Sequence, residues 1–258
     1  NESEADQILA NLKTKYVITD YEMDTGKFWA MSTWDDPEVG VYPYQRTFIF
    51  PSPDDPKSGV NYPLLTNEYY QTMISRLHNF DGTYTEPGNV YFLRYMKPSA
   101  TGLNAPVVVD GGQTNYSAGK ALVNSFNAQE NPQYDVILAN FGYTDPVEPV
   151  PALSHYRLIF ESSTRTTPAD MHDLRYVKIF EHVKGAQIPG EGMLELPVKT
   201  NTGREFIYRT QSINGTFTVP YPTETTVGAV TIPGKYRNTK NGAEYQVTEK
   251  QVIEGQSI

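Results

Sequence analysis

Two residue patterns in this chain could do chemistry: acids beside aromatic rings, and asparagines two positions before a hydroxyl. Trp34-Asp35-Asp36 sets a ring against two carboxylates on the turn-prone run STWDDPEVG, an arrangement that can grip a peptide hydroxyl or a sugar. Asp54 and Asp55 form a second acidic pair. A glycoside hydrolase needs such a pair at a set distance in space, and sequence spacing does not supply that distance. Three Asn-x-Ser/Thr triplets begin at Asn1, Asn115 and Asn214. Each is a potential glycan acceptor if the chain faces the outside of a cell.

Other chemistries are excluded. The four histidines, His78, His155, His172 and His182, show no His-Glu-x-x-His or other metal-ligand spacing, so surface or strand histidines are expected and no metal site. There is no cysteine, which removes thiol nucleophiles, disulfides and thiolate metal sites together. No Gly-x-Ser-x-Gly elbow or Walker loop occurs. GGQTNYSAGK (111–120) is glycine-rich ahead of a helix but lacks the phosphate-loop lysine spacing, which predicts a plain turn and cap. The formal net charge is −9, from 21 basic and 30 acidic residues, with no Lys/Arg cluster. That excludes nucleic acid as a partner and argues against docking on anionic lipid by charge. No apolar run is long enough to span a membrane, and no signal peptide is visible. NESEADQILANL reads as the middle of a chain, which predicts an excised piece.

The elements that must position these residues follow from periodicity. Ser3 with Asp6 reads as a variant capping box, and Ala5, Ile8, Leu9 and Leu12 as the apolar face of the helix it opens. YVITD (16–20) reads as a short buried strand. Residues 37–66 are rich in proline and predict an irregular arm. Tyr70, Met73, Ile74 and Leu77 then fall at i, i+3, i+4 and i+7, the stripe of an amphipathic helix that ends near Gly82. VYFLRYM and YDVILAN read as strands, SAGKALVNSF as a helix, and HYRLIFES with RYVKIFEHV as a hairpin. After KGAQIPGEG the pattern becomes short alternating strands with Asn-Gly turns. The predicted fold class is α+β: a mixed α/β unit over 1–184, then a small β-sandwich over 185–258.

Several blocks carry a family resemblance. NESEADQILANLKTKYVITDYEMDTGKFWAM resembles an extracytoplasmic segment of the archaeal oligosaccharyltransferase catalytic subunit, the AglB type. YYQTMISRLHNFDG, HYRLIFES and VKIFEHVKGAQIPG resemble later blocks of the same domain, in the same order. TGREFIYRT and NGTFTVPYPT resemble its C-terminal β-module, whereas YTDPVEPVPALS matches nothing in it.

The resemblance implies an enzyme that transfers a lipid-carried oligosaccharide to asparagine in Asn-x-Ser/Thr. It implies a multispanning membrane half with a divalent metal (Mn or Mg), which this chain lacks. It also implies an extracytoplasmic soluble half that helps hold the acceptor polypeptide and is inactive alone. No catalytic residue and no cofactor are then expected within the chain. The family's Trp-Trp-Asp-Tyr-Gly motif is not matched at Trp34, where one Trp and the Tyr-Gly are missing, so Trp34-Asp35 is expected to be a ring anchoring a turn.

A second family element lies on a short kinked helix, which NEYYQTMISRL (67–77) resembles. In one subtype the element is Asp-x-x-Lys-x-x-x-Met, and Thr66 and Tyr69 stand where Asp and Lys should be. In the other it is a Met and an Ile four apart, which makes Met73 and Leu77 the apolar pair with Tyr70 at the acidic position. Tyr70, Met73 and Leu77 are thus candidate acceptor-peptide residues, and core packing is the competing reading of the same stripe. The runner-up function is a sugar-binding or surface-layer module, and the third a carboxylate hydrolase.

Overall fold

The computed structural model describes residues 2–35, 38, 40–52, 59–129, 131–166 and 173–258, so Asn1, Asp36, Asp54, Asp55 and His172 lie outside it. In chain order the elements begin with α1 (Glu2–Asn11), β1 (Tyr16–Asp20), α2 (Tyr21–Asp24), α3 (Gly26–Asp35), β2 (Gln45–Pro51) and β3 (Gly59–Leu65). Next come α4 (Asn67–Tyr70), α5 (Met73–His78), β4 (Asn89–Met96), α6 (Pro98–Thr101), β5 (Val107–Asn115), α7 (Tyr116–Asn127) and β6 (Tyr134–Ala139). Then follow β7 (Tyr156–Glu161), β8 (Val177–His182), β9 (Ala186–Pro189), β10 (Met193–Lys199), β11 (Glu205–Gln211) and β12 (Thr216–Val219). The chain closes with β13 (Thr225–Val227), β14 (Val230–Ile232), β15 (Tyr236–Asn238), β16 (Glu244–Tyr245) and α8 (Glu249–Glu254). The class is α+β.

The chain divides into two compact units: Asn1–Met31, Gln71–Thr85 and Val150–Ile258 in the first, Ser32–Tyr70 and Glu86–Pro149 in the second. The boundary expected at 184/185 falls inside the first unit. Phe180 and Val183 share one core with Ala186, Ile188 and Leu196. Strands lie on both sides of that position, β8 before it and β9 after it, and one core runs on through it.

In the first unit, β1, β8 and β7 form an antiparallel sheet, so the expected hairpin of β7 and β8 forms. A second sheet runs β13-β14-β10-β15-β16 with β11 on β10, and β12 pairs β9. β1 is an edge strand: Tyr16 is 49% and Ile18 57% exposed, so YVITD is not the buried strand its composition predicts. α1 also departs from expectation. It already includes Ser3, and Ile8 and Leu12 are 52% and 70% exposed. Of the predicted apolar face Leu9 does pack against the core, and acids dock beside it. Glu2 accepts from Arg76 at 3.0 Å and from the Ser154 N–H at 2.7 Å, and Asp6 accepts from the Tyr156 hydroxyl at 2.7 Å.

The second unit is a five-stranded sheet, order β3-β2-β5-β4-β6. Within the proline-rich stretch residues 45–51 and 59–65 do not form an irregular arm: β2 and β3 pair along their whole length, while 37, 39 and 53–58 lie outside the described residues. Pro63 is accommodated because β3 is an edge strand, where a missing N–H need not break a ladder. The glycine-rich stretch belongs to β5, and the cap follows at Asn115, whose carboxamide oxygen accepts from the Ala118 N–H at 2.9 Å. α7 packs closely on the sheet. A Cβ on Gly119 would lie 2.8 Å from Leu138 and 3.0 Å from Thr114, so the helix needs glycine there. Phe48, Leu93, Tyr95 and Ala139 form the core of this unit.

Candidate functional site

The segment from Thr66 to Gly82 does not form one helix. α4 ends at Tyr70 and α5 begins at Met73, because Thr72 takes extended dihedrals (φ −65, ψ 151) and caps the new helix by accepting from the Ser75 N–H at 3.3 Å. A β-branched hydroxyl residue is a strong N-cap and a weak helix interior, which explains the break. The predicted stripe is therefore cut, and its members have different environments. Tyr70 lies in the second unit, fully buried, and its hydroxyl donates to the Gly142 carbonyl at 2.7 Å. Leu77 lies in the first unit, is 3% exposed and belongs to its core. Met73 is half-buried and packs against that core from the first turn of α5.

α5 is held rigidly inside the first unit. Arg76 donates to the carbonyls of Pro151 (3.1 Å) and Ala152 (2.8 Å) as well as to Glu2. At the helix C-terminus the buried Lys178 ammonium donates to the His78 carbonyl and to Asp81, both at 2.7 Å, where a cation suits the helix dipole. Asp81 and Gly82 take positive φ (54 and 71) to turn the chain away, as the sequence predicts for Gly82. Arg204 then bridges Asp81 (2.6 Å) and the fully buried Glu161 (2.5 Å). Glu161 also accepts from the hydroxyls of Thr200 (2.6 Å) and Thr202 (2.5 Å).

The electrostatics follow from this network. Burial alone would raise the Asp81 carboxyl, but Arg204 and Lys178 outweigh it and hold Asp81 below the usual carboxylate range. Burial, with Lys178 beside it, pushes His78 down to about 3, so its imidazole is neutral. His78 Nδ1 lies 3.1 Å from the Thr19 hydroxyl. His155 donates from Nδ1 to the Lys184 carbonyl at 3.0 Å, and His182 Nε2 faces Asp6 at 3.4 Å. His182 lies on strand β8, as expected of a surface or strand histidine, whereas His78 is fully buried on α5 and corrects that expectation.

Trp34 corrects an expectation. It lies on α3, 79% exposed, and anchors no turn. Asn115 is exposed and spends its carboxamide oxygen on the α7 cap. Asn214 is exposed at the tip of a tight turn, with φ 52 followed by Gly215 at φ 76, closed by two main-chain bonds between Ile213 and Thr216 (2.8 and 3.1 Å). The left-handed pair is the turn an Asn-Gly dipeptide favours. Sequence reading missed the Asp81–Lys178–Arg204–Glu161 network. Its only signal was the charge of Glu161 and Lys178 inside otherwise apolar strands.

Residues 182–258 match the archaeal glycosylation protein B long peripheral domain. Over 249 residues, 86% of the chain, it is 29% identical to dolichyl-phosphooligosaccharide-protein glycotransferase 3 of Archaeoglobus fulgidus. The chain spans 27% of that relative's length. It also aligns along its whole length with the crystal structure of the A. fulgidus oligosaccharyltransferase in the apo form, at a TM-score of 0.57 and 24% identity, covering 32% of that chain. Its fold recurs within an archaeal oligosaccharyltransferase. The AglB structure from the same organism, in complex with an inhibitory peptide and a dolichol-phosphate, gives a TM-score of 0.57 at 22% identity, again over all of this chain and 32% of that one. The oligosaccharyltransferase in complex with Zn and sulfate gives 0.56 at 21% identity, over 100% of this chain and 34% of that one. The resemblance drawn from the sequence blocks therefore holds, and the C-terminal match starts at His182, the last residue of β8.

Proposed function

We propose that this chain is the extracytoplasmic part of a membrane oligosaccharyltransferase, which transfers a lipid-linked oligosaccharide to the asparagine of Asn-x-Ser/Thr. In this reading the chain helps hold the acceptor polypeptide and transfers nothing by itself. The observation that carries it is the 29% identity to a glycotransferase over 249 residues. The relative solved with an inhibitory peptide and a dolichol-phosphate supports a polypeptide and a phosphorylated lipid as partners. The one solved with Zn supports a metal, which we assign to the rest of the enzyme as Mn or Mg. Among the described residues no three His, Asp or Glu side chains are grouped so as to hold a metal ion. The described residues therefore do not fit that metal, and none of them is assigned to it.

Within the chain, Leu77 anchors α5 in the core, and Met73, one turn earlier, keeps part of its side chain free. A methionine so placed can pack on the methyl of an acceptor threonine. Tyr70 acts by seating α4. One methyl is worth about 1 kcal/mol of apolar burial, so threonine should be favoured over serine by several-fold in kcat/KM. Incubated with lipid-linked oligosaccharide and an acceptor peptide, the chain alone should leave the peptide unmodified while the full-length enzyme glycosylates it. In the full-length enzyme Met73→Ala should shrink the threonine preference. Product from the chain alone would overturn the reading, and an unchanged ratio would retire Met73 as a contact.

A further inference from the structure

We propose that the second unit binds an extended stretch of the acceptor polypeptide, outside its Asn-x-Ser/Thr triplet, as an added strand along the free edge of β6. The proposal takes the identity of the polypeptide from the transferase reading above and the site from the second unit alone.

A cavity of about 330 Å³ lies in this unit, bordered by four consecutive β6 residues: Val136, Ile137, Leu138 and Ala139. Successive side chains of a strand point to opposite faces. Four in a row bordering one cavity fit a cavity that runs along the strand's edge. The other walls agree. Phe48 belongs to the core on one face of the sheet, Val123 comes from α7 on the other, and both border the same cavity. Among the described residues β6 pairs only with β4 and β3 only with β2. Two free strand edges thus border the cavity, since β3 contributes the consecutive Leu64 and Leu65. The Tyr134 and Val136 N–H groups donate to the Asn131 and Asp135 side chains at 3.0 and 2.9 Å, local bonds that an incoming strand would displace and that mark both groups as facing outward, and by the period of two the Leu138 N–H faces outward as well.

These features select the occupant. A free strand edge offers donors and acceptors that repeat along the chain, which an extended polypeptide matches. The rim carries two cations, Arg46 and Lys120, and two anions, Glu68 and Glu148, and Lys120 and Glu148 already pair at 2.8 Å. A balanced rim gives no net attraction for a phosphate group, so a phosphorylated lipid is disfavoured although the floor is apolar. An uncharged extended segment with an apolar side chain fits. Binding it would raise the local concentration of the acceptor for the rest of the enzyme.

The test uses the 258-residue chain, isotope-labelled, and a synthetic peptide carrying Asn-Val-Thr followed by an alternating Val-Thr run. Expected are binding, slower amide exchange across Tyr134–Ala139, and loss of about tenfold in affinity when alternate amides of the run are N-methylated. Val123→Glu, which puts a charge in the cavity from α7, should weaken binding about as much without lowering the melting temperature. Because the N-methylated peptide leaves the protein untouched, that arm stands even if Val123→Glu perturbs folding. Equal affinity for both peptides, protection elsewhere, no binding, or the same β6 response to dolichyl phosphate would each overturn the proposal. In the full-length enzyme, transfer whose KM ignores the Val-Thr run would sink the strand site and leave the transferase reading intact. Binding of the run by the chain, with no transfer by the full-length protein, would retire the transferase reading and with it the acceptor as occupant.

Discussion

The first unit buries its charges in pairs, whereas the second keeps them at the surface and leaves a cavity open beside a strand edge. Lys178 and Arg157 are each 1% exposed and Glu161 0%, every one of them met by an opposite charge. In the second unit the Arg94–Asp110 pair has side chains 41% and 51% exposed. The difference teaches where a carboxylate matters. Removing one from the first unit strands a cation away from water, while in the second unit water replaces the lost partner.

The sharpest break of this comparison is therefore Asp81→Ala against Asp110→Ala. The first should cost about 3–5 kcal/mol, because Lys178 and Arg204 lose their shared anion, and the second about 1 kcal/mol or less. Urea unfolding, read from amide signals assigned to each unit, would measure both. Equal costs would mean the buried network adds nothing.

Next in size is the contrast within α5. Leu77→Ala should cost about 2–5 kcal/mol as a cavity in the core. Met73→Ala should cost about half of that or less, since part of its surface already faces water. Melting curves that rank the two the other way would make Met73 a core residue and remove it from the candidate site.

In the second unit, Gly119→Ala should cost about 1–3 kcal/mol, because the new methyl meets Leu138, Thr114 and Val90 at once. A neutral result would show that α7 rides loosely on its sheet. The cavity wall at Val123 would then be adjustable rather than fixed.

The gentlest effect per step is acid. His78 is held down to about 3 from 6.5, so below pH 6.5 the unfolded chain takes a proton that the native chain refuses. Its contribution is complete above 6.5 and drains away as the pH falls toward 3, at up to about 1.4 kcal/mol per pH unit. Asp81, held below 3.8 by its cations, adds a loss of the same sign below that pH. His78→Gln should flatten the stability profile between 6.5 and 3.8. A first unit equally stable across that range would refute the buried neutral histidine.

Much of the architecture was legible where one pattern spoke alone. β4, β6, α7 and the β7–β8 hairpin form where alternation or helical spacing placed them. The Asn214-Gly215 turn follows from residues that tolerate positive φ. Errors arose where a local pattern had two physical readings. Proline in 37–66 suggested irregular chain, but an edge strand tolerates Pro63 equally well. The i, i+3, i+4, i+7 stripe from Tyr70 to Leu77 suggested one helix, but Thr72 offered a cap in mid-stripe and the chain used it.

By itself the sequence determined the absence of thiol chemistry, the acidic surface, the α+β class and the ordered blocks that resemble an oligosaccharyltransferase. These depend on residue identity and on contacts within a few positions. Only the tertiary structure decided that Leu77 is core while Met73 keeps a free side, and that Trp34 is exposed. It alone brought Asp81, Lys178, Arg204 and Glu161 together and set Val123 of α7 opposite the edge of β6. Each of those facts depends on what long-range packing brings beside a residue, and a burial pattern along the chain does not say which distant segment will cover it.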